Sequence, residues 1–181
     1  MRFVRRCVVA AVVLPLLATG CSGDPQPKFE PSPSASPSAS SSVRAEPKAW
    51  EVKSDKGAYA FVQHWVSELN EAGKTGDTRG LNDLSSANCE SCKNIIDYIT
   101  EVYDEGGRIE SDGWRVLQVA QIDDRLPPRA PVVPARVRQT GQDVFRTRPE
   151  KQVRVPPETV AMSFHLEWAN SWRMADLVVV N

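Results

Sequence analysis

The chain has 181 residues, 41% hydrophobic and 25% charged, with a formal net charge of -1. This balance excludes the basic excess of a nucleic-acid-binding protein. A chain of this length holds one small domain with one core once its non-globular segments are set aside.

Arg2, Arg5 and Arg6 form a positive leader, and the apolar run from Val8 to Leu17 is too short to span a bilayer. Residues 1–20 therefore read as a signal peptide. No later stretch is long and apolar enough for a transmembrane helix. Small residues at Thr19 and Gly20 precede Cys21, and Leu17-Ala18-Thr19-Gly20-Cys21 resembles the bacterial lipobox. That resemblance implies a diacylglycerol on the Cys21 thiol and a new N-terminus at its amine, and two acyl chains suffice for stable anchoring. The expected location is the extracytoplasmic face of a bacterial cell membrane. An ordinary secretory signal followed by a chance cysteine and a soluble protein with an apolar N-terminal helix are the competing readings. Loss of the three leader arginines takes the net charge from -1 to -4.

Residues 21–54 have the composition of a linker. The run from Glu30 to Ser42 is built of Pro, Ser and Ala with no periodic apolar residue, so it should stay extended and mobile. A tether of about 33 residues averages roughly 30 Å as a flexible coil and reaches about 100 Å if polyproline-like, enough to cross a cell-wall layer. Residues 55–181 form the folded domain.

In that domain Asp55 is the expected N-cap of a first helix. Ala58, Phe61, Val62, Trp65, Val66, Leu69 and Ala72 recur at three-and-four spacing, ending at Gly73 and Gly76. Asp77 should cap a short second helix carrying Leu81 and Leu84, and Cys92, Ile95, Ile96, Ile99, Val102 and Tyr103 stripe a third, stopped by Gly106-Gly107. The period then changes to that of strands. Trp114 to Ile122 is rich in β-branched residues, Val132 to Thr140 alternates apolar residues with arginines, and Val160 to Trp168 alternates strictly. Asn170-Ser171 turns the chain into a last strand, Trp172 to Val180, while Asp112-Gly113 and Gly141-Gln142-Asp143 are expected as turns. Prolines 127, 128, 131, 134, 149, 156 and 157 confine the remaining pieces to loops and edges. Helices before antiparallel strands give the α+β class: three N-terminal helices packed on one curved antiparallel sheet.

This element order, with its closing Trp168-x-x-x-Trp172-Arg173-Met174-Ala175-Asp176 hairpin, resembles the cone-shaped nuclear-transport-factor-2-like superfamily. Gly57-Ala58-Tyr59-Ala60-Phe61-Val62, Thr75-Gly76-Asp77, Leu84-Ser85 and Cys89-Glu90-Ser91-Cys92 are similar to a family of uncharacterised actinobacterial lipoproteins with that domain. The resemblance implies a cone-like fold and carries no assigned activity or catalytic residue.

Four cysteines are present, of which Cys7 leaves with the signal and Cys21 is acylated. Cys89 and Cys92 remain, and in an oxidising compartment they should pair as a structural disulfide joining the second helix to the start of the third. A redox pair at a helix start is the alternative, because that position lowers a thiol's pKa; zinc lacks four ligands. His64 and His165 read as surface or boundary residues, and the tryptophans mostly as core. Arg136, Arg138, Arg146 and Arg148 belong to a basic block running from Arg125 to Arg154. Its ordinary reading is a solvated face, and its functional one a partner-binding face. No cofactor or metal and no nucleic acid is expected. The leading function is a non-enzymatic binding module for a protein or an envelope component, such as a cell-envelope protein. The alternatives are a carrier of a small apolar ligand in the cone cavity, and an enzyme of isomerase, hydrolase or thiol oxidoreductase type.

Overall fold

The computed structural model describes residues 46–122, 130–147 and 152–180. The signal peptide, Cys21 and most of the linker lie outside the described residues, as do Arg125, Arg129, Arg148 and Lys151.

Helix α1 spans Asp55–Thr75. Its N-cap is Ser54, one residue before the expected Asp55, and the Ser54 hydroxyl oxygen accepts the Gly57 N–H at 3.0 Å. This satisfies one of the donors that a helix start leaves unpaired. Gly73 is helical, and the helix stops at Gly76, whose φ of 78° is left-handed and whose N–H returns to the Ala72 carbonyl at 2.8 Å. Glycine takes that conformation without the steric cost other residues meet. The α1 stripe is buried as its spacing predicts, with Trp65 and Val62 fully enclosed. Helix α2 spans Arg79–Asp83 and α3 spans Glu90–Asp104. Thr78, not Asp77, is the α2 N-cap, but Asp77 Oδ1 accepts the Arg79 N–H at 3.1 Å from one residue earlier.

The single curved sheet is corrected to two antiparallel sheets. Strands β1 (Arg108–Ser111), β4 (Gln142–Phe145) and β5 (Val153–Val155) form one, in the order β1-β4-β5. Strands β2 (Trp114–Val119), β3 (Val132–Gln139), β6 (Glu158–Trp168) and β7 (Trp172–Val180) form the other, in the order β2-β3-β6-β7. The physical reason is a break in one long ribbon. The ladder runs Arg108↔Phe145 to Ser111↔Gln142 and resumes at Trp114↔Gln139; Asp112-Gly113 and Thr140-Gly141 lie outside it between, joined by one backbone bond from the Thr140 N–H to the Gly113 carbonyl at 3.1 Å. Side chains supply the other bonds there: Ser111 Oγ accepts the Gly113 N–H at 3.0 Å, and Thr140 Oγ1 donates to the Gly113 carbonyl at 2.8 Å. Gln142 and Asp143, expected in a turn, therefore begin a strand.

The inner face of the four-stranded sheet covers α1. Val133 and Val137 of β3, Phe164 and Leu166 of β6, and Trp172 and Met174 of β7 are buried with Phe61, Trp65 and Leu69. The buried Trp65 indole N–H donates to Ser85 Oγ at 3.1 Å, and Ser85 Oγ donates to the Leu81 carbonyl at 2.8 Å, so the polar atoms carried into this core are paired. Ser86 N–H to Met174 O at 2.7 Å and Met174 N–H to Leu84 O at 2.9 Å tie the segment after α2 to β7. Among the described residues, no helix is long and apolar enough to cross a membrane.

Candidate ligand cavity

The C-terminal half of α1, the middle of α3 and the start of the three-stranded sheet do not close on one another. They leave a half-open cavity of about 340 Å³, at the lower end of the ~300–1,000 Å³ usual for ligand sites. Its walls are mostly apolar: Leu69 of α1, Ile95, Tyr98 and Ile99 of α3, Ile109 of β1 and Trp114 of β2. Tyr98 and Trp114 supply two aromatic side chains, and Leu69, Ile99 and Ile109 form the buried part of the lining.

Each wall is held by local chemistry. Asn70 interrupts the apolar stripe of α1 and clamps the turn into β2: its Nδ2 donates to the Trp114 carbonyl at 2.9 Å, and the Trp114 N–H donates to Asn70 Oδ1 at 2.7 Å. Gly113, at φ 82°, has no Cβ to strike Asn70; one would lie 2.4 Å from Asn70 Oδ1. On the opposite wall the Tyr103 hydroxyl donates to the Gly73 carbonyl at 2.8 Å, locking α3 to the last turn of α1. Gly73 leaves the cavity open, since a Cβ built there meets nothing within 4 Å.

The polar groups divide into two sets. Asn70 and Ser111 are spent on backbone partners. Lys74, Asn94, Tyr98 and Gln142 are also lining residues, and their side chains have no hydrogen-bond partner among the described residues. Burial pushes the Tyr98 phenol above its ordinary pKa, opposed by the nearby Arg146, so it stays a neutral hydroxyl at physiological pH. No carboxylate, imidazole or thiol is among the lining residues. A nucleophile with an adjacent base is therefore not assembled from them.

The residues singled out by sequence lie elsewhere. Cys89 and Cys92 are bonded to each other and are 2% and 1% exposed. Cys89 is the N-cap of α3, its sulfur facing the Cys92 N–H at 3.1 Å, so the ring stiffens the first turn of α3 and does not join α2 to it as expected. His64 stacks on Trp50 with centroids 4.2 Å apart, and His165 is half-buried opposite Asp176 in the β6–β7 ladder. Of the arginines, Arg136 and Arg138 are exposed on β3. Arg146 follows the other sheet and its side chain is 10% exposed, held by Glu101 of α3 and by Glu105, the residue that caps its end, at 3.0 Å each. Among the described residues, no group of three or more His, Cys, Asp or Glu is placed to hold a metal ion. The cavity residues come from five separate elements, so no local pattern in the sequence marks them as a set. The one local signal was Asn70 followed by Gly73 on the buried side of a strong helix, polar and missing side chains where packing asks for apolar ones.

Residues 27–175 match the profile of a family of unknown function, DUF6318. No curated protein matches the chain. Among solved structures, the intermembrane space region of the chloroplast protein ARC6 is similar at 14% identity and a TM-score of 0.55, over 70% of this chain and 96% of that one. At that identity the likeness is one of fold. An NTF2-like protein from Anabaena variabilis matches at 7% identity and a TM-score of 0.37, over 68% of this chain and 89% of that one. A domain of unknown function with a cystatin-like fold from Nostoc punctiforme matches at 12% identity and a TM-score of 0.42, over 70% and 76%.

Proposed function

The chain belongs to the family of unknown function DUF6318, and we propose that it is a lipid-anchored, non-catalytic binding module that holds a small, largely apolar ligand between α1 and α3. The observation that carries this is the cavity of about 340 Å³ with apolar and aromatic walls and four polar side chains free to meet a ligand's polar end. Apolar walls supply affinity by removing ligand surface from water, and a few placed polar groups orient it. The free set consists of a lysine, two carboxamides and a neutral phenol, which recognise carbonyl, hydroxyl or carboxylate groups. Anchoring at Cys21 follows from the lipobox-like Leu17-Ala18-Thr19-Gly20-Cys21 and puts the ligand site outside the membrane.

Protein purified from its own envelope and extracted with organic solvent should yield a bound compound by mass spectrometry. That compound should displace an apolar fluorescent probe, anilinonaphthalene sulfonate, bound once per chain. Ile95→Lys places a charge on the cavity wall and should abolish probe binding while the circular dichroism spectrum is unchanged. A folded protein with no saturable probe site, or an Ile95→Lys variant that binds as before, removes the reading.

A further inference from the structure

Alternation along β2 and β3 turns Arg115, Arg136 and Arg138 to the side of the four-stranded sheet away from the core, and all three are exposed. Register brings them together. Arg115 stands directly opposite Arg138, and Arg136 lies two residues along the same strand opposite Gln118. On their other flank Arg138 faces Thr159, Arg136 faces Ala161, and Ala161 in turn faces Val180. None of these positions carries a carboxylate, and none of the three arginines has an ion pair or side-chain hydrogen bond among the described residues. Like charges directly opposite one another weaken a sheet, so this arrangement lacks an internal justification. An external anion supplies one, because the guanidinium fork matches phosphate oxygens two at a time.

The rest of the face narrows what that anion is. The side chains of Thr159, Ala161 and Ser163 in the middle of the face are short, and Leu117, Val178 and Val180 on its two edge strands are exposed by 56%, 41% and 51%. From residue 55 onward the chain has 15 Lys and Arg against 19 Asp and Glu, a net -4, so this positive face would orient an otherwise acidic body. A cationic surface of short side chains with apolar edge residues fits a layer of headgroups better than a single small anion. A tether of the 34 residues from Cys21 to Ser54 would average roughly 30 Å if it behaves as the coil its composition leads one to expect, and would hold the domain near the membrane at an effective concentration of about millimolar.

We propose that the outer face of the four-stranded sheet docks on anionic phospholipid headgroups, with Arg115, Arg136 and Arg138 on their phosphates and Leu117, Val178 and Val180 at the headgroup boundary. The docking rests on the anchoring part of the proposed function and is independent of what the cavity holds. It leaves the cavity, which opens between α1 and α3, outside the contact.

The test uses the chain from residue 21 carrying Cys21→Ser, so that no acyl chain contributes and failure says nothing about acylation. It should sediment with vesicles of phosphatidylglycerol and phosphatidylcholine in equal parts, not with phosphatidylcholine alone, and less as salt rises. Each arginine near an anionic surface contributes about fivefold, so changing Arg115, Arg136 and Arg138 to Gln should weaken binding about a hundredfold. The single Arg138→Gln variant, at about fivefold, keeps the test open if the triple variant does not fold. Changing Lys56, Arg79 and Arg154 to Gln removes equal charge elsewhere and should alter binding by no more than about twofold, since exposed charges beyond about 10 Å are screened. Equal binding to neutral vesicles, or an equal loss in that second triple variant, overturns the proposal. So does binding of free inorganic polyphosphate that needs the three arginines while vesicles are left unbound, which would assign the face to a soluble phosphate polymer.

Discussion

Gly73 gives a direct way to fill the cavity without disturbing its walls. It is a helical glycine three residues before the Gly76 stop, it lines the cavity, and a Cβ there meets nothing within 4 Å. Gly73→Ala therefore removes the conformational cost of glycine in a helix at no steric expense, a gain of about 0.5–1 kcal/mol. For a domain of this size that is a rise in Tm of about 2–4 °C. Gly73→Phe adds a ring that enters the cavity; full burial of a phenylalanine contributes about 1.5–3 kcal/mol, and a half-open site should return roughly half of that. The same ring occupies the ligand's space, so probe affinity should fall by at least about tenfold, or 1.4 kcal/mol. Thermal unfolding followed by circular dichroism and a titration with anilinonaphthalene sulfonate read both quantities on the same samples. A Gly73→Ala variant less stable than the parent would show that the space beside Gly73 is not open. A folded Gly73→Phe variant with unchanged probe affinity would show that the probe binds somewhere else.

Cys21→Ser should release the protein from the membrane fraction and abolish incorporation of a palmitate analogue; a variant that keeps both refutes the anchor. Intact mass after alkylation without reductant should show Cys89 and Cys92 unmodified, and replacing both with serine should cost about 2 kcal/mol in urea unfolding by the chain-entropy model. Two alkylated cysteines in protein taken from its own compartment would instead point to a redox pair. Hydrogen bonds from the Arg79 side chain and backbone hold the Asp77 carboxyl at about 2, below its ordinary 3.8. A depressed carboxylate stabilises the fold fully above the unfolded value and ceases to as pH falls through the folded one, so the Asp77–Arg79 contribution should fade between about pH 4 and 2. Carbon-detected NMR titration should place the Asp77 midpoint there, and Arg79→Ala should return it toward 3.8; an unchanged midpoint would sink the assignment.

The α1 and α3 stripes, the alternating β3 and β6 and the closing β6–β7 hairpin were legible from residue types alone. Each is a local pattern in which neighbours three, four or two apart share a face, and burial follows the pattern. The short strands were not. β1, β4 and β5 are three or four residues long, half of them polar or charged, and β1 pairs with β4 across more than thirty positions of sequence. No periodicity survives at that length, and a non-local ladder leaves no mark on either partner. The same reason hid the division into two sheets, which is decided where Ser111, Gly113 and Thr140 exchange hydrogen bonds across the broken ribbon. The arginines make the point at the level of function: sequence grouped Arg136, Arg138 and Arg146 together by nearness in the chain. Tertiary structure spends Arg146 on Glu101 and Glu105 at the C-terminal end of α3, and sets Arg138 opposite Arg115 from a different strand. Charge and hydropathy are properties of a residue and can be read one position at a time. Which charges share a face, and which apolar side chains fail to meet and so leave a cavity, depends on register and helix docking, and these exist only once the chain has folded.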